Sequence, residues 1–529
     1  MMGSIVPIRW GKEVFKMNRF RKILLVITIF VLGFLITACK KPNVLDKYKE
    51  EYPKNDVYYQ VFVRSFADSN DDGVGDINGI INKLDYFTDL GVTALWLSPI
   101  HPTISYHGYE ISNYYEINPE FGTMADFELL VEKADKEGIK IIMDTVFNHA
   151  ADNNDWYIDA LNDLNSPYRE YFLWPRNAKV GTSAYETFPS SRDLNLKSEK
   201  VVNELVKILK FYSKKGVAGF RFDAVKHFFS KPFDANYSTN PSFDGGTLLH
   251  TLKKEVQKEY PNVYFVGENF EYSNNSNEDY YFASDSMFNF VISRYFQTGQ
   301  YTNMQSALQR IYNELREFNR NFIDAPFITN HDMDRFASMQ PNIEHQKLSA
   351  SILLTLPGNP YIYYGEELGM KGRRIEGQPV SGYLNQDGNP IIVYDEGRRQ
   401  PFLWDNDDPA LTTWFPLIHG NEDVARVTTQ KEDENSLYNH YVNLIKIRKE
   451  NPALMFGNSF YRVDISSAVA FVRHVETKSG LSQTILVIHN TSSQEKQVSF
   501  EVIKDIYGTQ LIPPYGTYIA EISSIDKAV

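Results

Sequence analysis

The stretch Gly219–His227, GFRFDAVKH, sets an arginine and an aspartate inside an apolar run. Read as a strand, it points Arg221 and Asp223 to one face and Phe220 and Phe222 to the other. Two charges on one buried face are costly unless paired or used, so this stretch alone admits either a structural ion pair or a working pair. Other acids hold matching places. Asp144 ends the run KIIMD, with Asn148 and His149 just beyond; Glu268 ends VYFVGE; His331 and Asp332 end FITNHD. Any one of them is unremarkable as a cap or loop residue. Asp223, Glu268 and Asp332, three acids at separate strand ends with a cation and two histidines beside them, would converge on one mouth. A pair of carboxylates, one protonating a leaving oxygen and one stabilising or attacking the carbon, is what cleavage of a glycosidic bond requires.

The elements that must position these residues follow from the apolar pattern. Strand-like runs are VYYQVFV, ALWLSP, KIIMDTV, GFRFDAV, VYFVGE, SMFNFVI, FITNHD and PYIYYGE. Helix-like segments such as MADFELLVEKADKEG and SEKVVNELVKILKFYSKKG lie between most of them, the second stopped by Gly216. Eight strands alternating with helices predict an α/β fold, a closed (β/α)8 TIM barrel, with chemistry at the C-terminal strand ends. The barrel is expected over 55–149 and 196–456. Residues 150–195 are polar and aromatic without a clear helical period, and read as an inserted subdomain B after strand 3. Over 457–529, short alternating runs such as AVAFVRHV, QTILVIHN and KQVSFEVI predict an antiparallel β-sandwich domain.

Length and composition agree. A chain of 529 residues suits one large domain with additions, and 43% hydrophobic content excludes a disordered chain. A net charge of −13 argues against nucleic acid as a partner. A basic segment with Lys16, Arg19, Arg21 and Lys22 precedes a 14-residue apolar stretch, Ile23–Ile36, and then Thr37, Ala38 and Cys39. That pattern reads as a signal peptide over 1–38, with an uncleaved membrane anchor as the alternative. Residues 39–54 read as a charged linker. Cys39 is the single cysteine, which excludes an intramolecular disulfide.

DSNDDGVGD places Asp68, Asn70, Asp72 and Asp76 at positions 1, 3, 5 and 9, with the Val74 carbonyl at 7. Such closely spaced oxygens suit a structural Ca2+, although Gly79 at position 12 excludes an EF-hand. The other reading is a solvated Asx-rich turn.

DTVFNH, GFRFDAVKH, VGENF and FITNHD, in this order, resemble the four conserved segments of the α-amylase family, glycoside hydrolase family 13. SRDLN, YHGYEISNYY and YYGEELGM resemble three further segments of that family, and the resemblance extends over about residues 55–529. It implies a retaining hydrolase with Asp223 as nucleophile, kept ionised by Arg221. Glu268 would be the general acid and base, and Asp332 the third acid on the ring hydroxyls. His149 and His331 would bond the same sugar, Tyr109 would stack beneath it, and Lys226 and His227 would contact the leaving side. The resemblance also implies a second Ca2+ site from Asn148, Asp193 and the His227 carbonyl. The TAC sequence ending at Cys39 resembles a lipobox, implying a lipidated, extracytoplasmic, membrane-anchored lipoprotein. An α-amylase acting on α-glucans and maltooligosaccharides is expected, as a monomer. The alternatives are an α-glucosidase, oligo-1,6-glucosidase or maltogenic enzyme, or a non-catalytic glucan-binding lipoprotein. Glu110 and Asn113 depart from the family pattern, where aspartates are common.

Overall fold

The computed structural model describes residues 44–375 and 394–529, apart from 235 and 320. The expected signal peptide and Cys39 lie outside the described residues. The chain divides into two compact units, up to Tyr52 and from Pro53 onward. In the first, the segment expected as linker contains a helix, Val44–Glu51, with Asp46 in its first turn and Lys49 in its last, as the helix dipole favours.

In the second unit, seven strands form one parallel sheet: β1 (Tyr58–Val61), β2 (Ala94–Leu97), β3 (Lys140–Thr145), β4 (Gly219–Phe222), β5 (Tyr264–Gly267), β6 (Ser286–Met287) and β7 (Tyr361–Tyr363). Their order is β6-β5-β4-β3-β2-β1-β7. The two edges meet through residues 325–327, because Phe288 bridges Ala325 and Phe327 bridges Tyr361, both in parallel. This short stretch is the remaining stave of the barrel. It pairs only through isolated bridges, consistent with Pro326, which has no N–H to give a ladder. The run FITNHD thus contributes its first residue to the wall, and His331 and Asp332 follow in a turn.

Strands β1, β2, β4 and β5 are buried at every position, as expected for a sheet covered on both faces. Tyr58 stacks on Tyr361 at 4.5 Å and on Tyr264 at 5.4 Å, within a core that includes Trp96, Ile142 and Phe288. Outside the sheet, helix Met124–Lys136 starts with a reciprocal Thr123–Asp126 capping box. Helix Glu199–Lys214 is capped by Ser198, and the chain turns away at Gly216 with φ 95°.

The inserted segment is tied down by an antiparallel ribbon, His149–Ala151 against Ser191–Asp193, with His149 opposite Asp193. It contains one α-helix, Asp155–Asn162, too short for a clear period in the sequence and marked by its Asn154 cap, and a 3-10 turn at Arg169–Tyr171. At the C-terminus, β8 (Ala468–Glu476), β9 (Ser482–Asn490), β10 (Lys504–Tyr507) and β11 (Thr517–Glu521) build an antiparallel sheet with Tyr461–Arg462 at one edge. A two-stranded ribbon, Lys496–Gln497 with Leu511–Ile512, completes the domain. One face carries Ala470, Val472, Leu486 and Ile488 into the domain core. The other face is buried too: Phe471 stacks on Phe460, and Arg473 donates to the carbonyls of Thr355 and Gly457.

Candidate active site

Cross-strand register places the central ion cluster. Asp144 on β3 pairs with Arg221 on β4, so the two side chains share a face of the sheet. Arg221 Nη1 donates to Asp144 Oδ1 and to Asp223 Oδ1, both at 2.8 Å, while Nη2 lies 3.6 Å from Glu268 Oε2. The guanidinium is fully buried, 5.2 Å from the Trp96 ring and 5.7 Å from the Tyr109 ring. Asp144 also accepts from Trp96 Nε1 at 3.2 Å and from the Tyr109 hydroxyl at 3.0 Å. The two charges of GFRFD are therefore both a structural pair, through Asp144, and part of a cluster facing the mouth.

One cation among three buried carboxylates sets the electrostatics. Burial pushes Asp223 up to about 7, with Asp144 and Asp332 adding to it and Arg221 pulling it back. Arg221 favours the ionised form of Asp223, although its attraction is shared with Asp144 and opposed by burial. Burial likewise raises Glu268 to about 7 and Asp144 to about 6, against the pull of Arg221. The cluster titrates as a unit. Geometry decides which oxygen holds the proton. Asp223 receives a direct 2.8 Å bond from the guanidinium and Glu268 does not, so the proton is favoured on Glu268.

Asp332 closes the site from the other side. Its Oδ2 lies 3.2 Å from His331 Nε2, and its Oδ1 lies 3.1 Å from Arg399 Nη2. Gln60 Nε2 meets His331 Nδ1 at 2.7 Å; an amide nitrogen can only donate, so Nδ1 accepts and Nε2 carries the ring proton. Burial, with Arg399 and Arg221 nearby, keeps His331 well below its usual range and neutral. Tyr109 stacks parallel to His331 at 5.4 Å, with its hydroxyl 2.6 Å from Nε2. Arg399 was not legible in sequence. It pairs with Asp395 at 2.6 Å, lies 3.3 Å from the Tyr106 hydroxyl, and reaches Asp332 at 3.1 Å. Only the unusual pair of arginines in DEGRRQPF hinted at it.

Both nitrogens of His149 are occupied: Nε2 meets the Tyr109 carbonyl at 3.0 Å and Nδ1 meets Asn148 Nδ2 at 3.2 Å. A sugar hydroxyl would compete with these bonds. Lys226 is half-exposed and pairs with Glu271 at 2.6 Å. His227 packs edge-on to Phe188 at 5.2 Å, and Phe188 also touches His149 at 5.3 Å. Phe188, from the inserted subdomain, was not expected at this site.

The two candidate cation sites differ from each other: the first is a loop of side-chain oxygens and the second holds an ammonium. In the first loop, Asp68 accepts from the N–H groups of Asn70, Asp71 and Gly73 at 2.9, 2.9 and 2.6 Å. Asn70 accepts from Asp72 N–H, and Asp72 from Val74 N–H. Asp76 accepts from Ser69 and Gly79 and caps helix Ile77–Asn82. The loop is thus held by Asx turns of its own. No group of three or more acidic, histidine or cysteine side chains placed to hold a metal occurs among the described residues. At the second site the expected ligands do not fit a metal ion. Lys231 Nζ lies 2.7 Å from both Asn148 Oδ1 and Asp193 Oδ1, so an ammonium stands where Ca2+ was expected. Thr187 Oγ1 donates to the same Asp193 at 2.9 Å.

A parallel barrel with buried carboxylates gathered at one strand-end mouth defines the glycosidase class. Residues 60–457 match the family model for the α-amylase catalytic domain, and the chain belongs to the α-amylase family. It is 35% identical to α-amylase 3 of Dictyoglomus thermophilum, covering 94% of this chain and 98% of that protein. It is 29% identical to the oligo-1,6-glucosidase of Parageobacillus thermoglucosidasius, covering 83% and 90%. Among solved structures it resembles the α-amylase from H. orenii, with a TM-score of 0.74 at 31% identity, covering 89% and 100%.

Proposed function

We propose that the protein is an α-amylase, a retaining hydrolase of α-1,4-glucosidic bonds in starch, glycogen and maltooligosaccharides. The observation that carries this reading is the Arg221 cluster, which holds one ionisable carboxylate by direct ion pairing and leaves a second, Glu268, to keep a proton. Glu268 protonates the glycosidic oxygen as Asp223 attacks the anomeric carbon; Glu268 then takes a proton from water as the covalent intermediate is hydrolysed. Asp332, with Arg399 and His331, binds ring hydroxyls, and Tyr109 supports the ring. The relatives named α-amylase support the α-1,4 preference.

One observation favours a second reading. The 29% identity to the oligo-1,6-glucosidase of Parageobacillus thermoglucosidasius, over 90% of that protein, supports removal of terminal glucose by an α-glucosidase or oligo-1,6-glucosidase. We also propose, on the lipobox pattern at Cys39, that the enzyme works outside the cytoplasmic membrane, tethered by lipid. The deciding experiment is chromatography of early products from amylose and from isomaltose, using the protein from Lys40 onward. Mixed short maltooligosaccharides with isomaltose untouched establish the amylase. Glucose from isomaltose, or glucose released stepwise from amylose, establishes the glucosidase. No product from either leaves a glucan-binding protein.

A further inference from the structure

The chain leaves β4 through a left-handed turn. Ala224 has φ 47° and ψ 43°, a conformation uncommon for an alanine and costly to hold. The turn aims two successive N–H groups at one residue. Ala224 N–H donates to Glu268 Oε2 at 2.9 Å, and Val225 N–H donates to the Glu268 carbonyl at 2.9 Å. Glu268 N–H in turn donates to the Phe222 carbonyl at 2.9 Å. The nucleophile's own turn therefore grips the acid at three points, two on its backbone and one on its side chain. The other charged groups acting on that carboxyl are Arg221, Asp223 and Asp332.

We propose that the Ala224 amide is a positioning group that assigns the two oxygens of Glu268 their separate tasks. An amide N–H can only donate, so Oε2 is held as an acceptor and the transferable proton belongs on Oε1. This inference rests on the glycosidase reading. In the first step the Oε1–H bond breaks as the proton passes to the glycosidic oxygen. The C1–O bond breaks with its electron pair going to that oxygen, and an Asp223 oxygen bonds to C1. The negative charge left on Glu268 spreads to Oε2, where the Ala224 N–H already points. The strained turn thus serves bond cleavage by stabilising charge that appears only as the proton leaves.

The direct test replaces Ala224 by its α-hydroxy acid counterpart through nonsense suppression, exchanging the N–H for an ester oxygen and leaving the side chain intact. Ala224→Val, a β-branched residue that resists the left-handed turn, is the encoded second variant. Each is assayed on maltooligosaccharides, whose leaving group needs a proton, and on α-maltosyl fluoride, whose leaving group needs far less help. The expected result is a fall of about tenfold or more in kcat/KM on the oligosaccharide with the fluoride largely spared. The basic limb of the pH profile should also move to higher pH, because the lost N–H favoured the ionised form. Equal loss on both substrates, or loss on neither, overturns the proposal. If the unmodified enzyme turns over neither substrate, it is the glycosidase reading that fails.

Discussion

The ammonium of Lys231 and the carboxylate of Asp193 meet at 2.7 Å with both side chains fully buried. Asn148 completes the clasp from the end of β3, so one side chain ties the inserted subdomain to the loop after β4. Burial lowers the Lys231 pKa and Asp193 raises it again. An ion pair this dry is a weak source of net stability, but losing one partner leaves the other charged and alone.

Lys231→Ala is accordingly expected to destabilise the protein by about 3–5 kcal/mol, read from denaturant unfolding. It also opens a space between two oxygen donors. Millimolar Ca2+ should therefore raise the Tm of the variant more than that of the parent enzyme, whose Tm should respond little to EDTA. A parent enzyme that loses its Tm in EDTA would show that a metal holds it elsewhere.

The acid cluster predicts a bell-shaped dependence of kcat/KM on pH. Activity needs Asp223 without a proton and Glu268 with one, and burial places both near about 7. Protonation of the pair removes the nucleophile below neutrality, and loss of the shared proton removes the acid above it. Glu268→Gln should lower kcat by roughly 10²–10⁴-fold and abolish the basic limb. Asp223→Asn should leave no turnover on any glucoside.

The Tyr109 hydroxyl bonds both Asp144 and His331 at the floor of the site. Tyr109→Phe keeps the ring but frees a buried carboxylate from one donor. Steady-state kinetics on maltooligosaccharides should show kcat/KM lower by roughly tenfold, with KM changing less than kcat. No change in either constant would assign Tyr109 to stacking only, because the phenylalanine ring still stacks.

Glu366 is a buried acid away from the catalytic cluster, accepting from the Tyr441 hydroxyl at 3.0 Å and from Thr329 at 3.2 Å, and burial pushes it up to about 8. Its folded pKa lies above its unfolded one, so the folded state holds a proton that the unfolded chain releases. This contribution is complete below the ordinary carboxyl range and is lost as pH rises toward about 8. Glu366→Gln keeps the shape without the titration. Its unfolding free energy should fall less with pH between about 5 and 8 than that of the parent, by an amount on the order of a few kcal/mol.

The acids were legible because strand ends of a parallel barrel aim at one mouth, so Asp144, Arg221, Asp223 and Glu268 could be grouped from strand runs alone. Asp332 was reached the same way, although its stave breaks at Pro326. Arg399 was not, because it comes from a loop whose spacing carries no period, and only folding brings it to Asp332. Lys231 escaped for a different reason. In HFFSKPFD it reads as an ordinary surface lysine, and its burial depends on Asp193, which comes from the ribbon of the inserted subdomain. The second dry face of β8 was not legible either, because the contacts of Phe471 and Arg473 with Phe460, Thr355 and Gly457 arise only on folding.

That second dry face of the C-terminal sheet has a consequence for where the molecule can be cut. The matched catalytic region ends at Gly457, ahead of β8, whose Arg473 binds the Gly457 and Thr355 carbonyls. A chain ending there would leave those carbonyls without the Arg473 donor. The catalytic-domain match stops at 457, whereas the compact unit runs on to Val529. The C-terminal domain and the catalytic barrel are therefore expected to unfold in one transition.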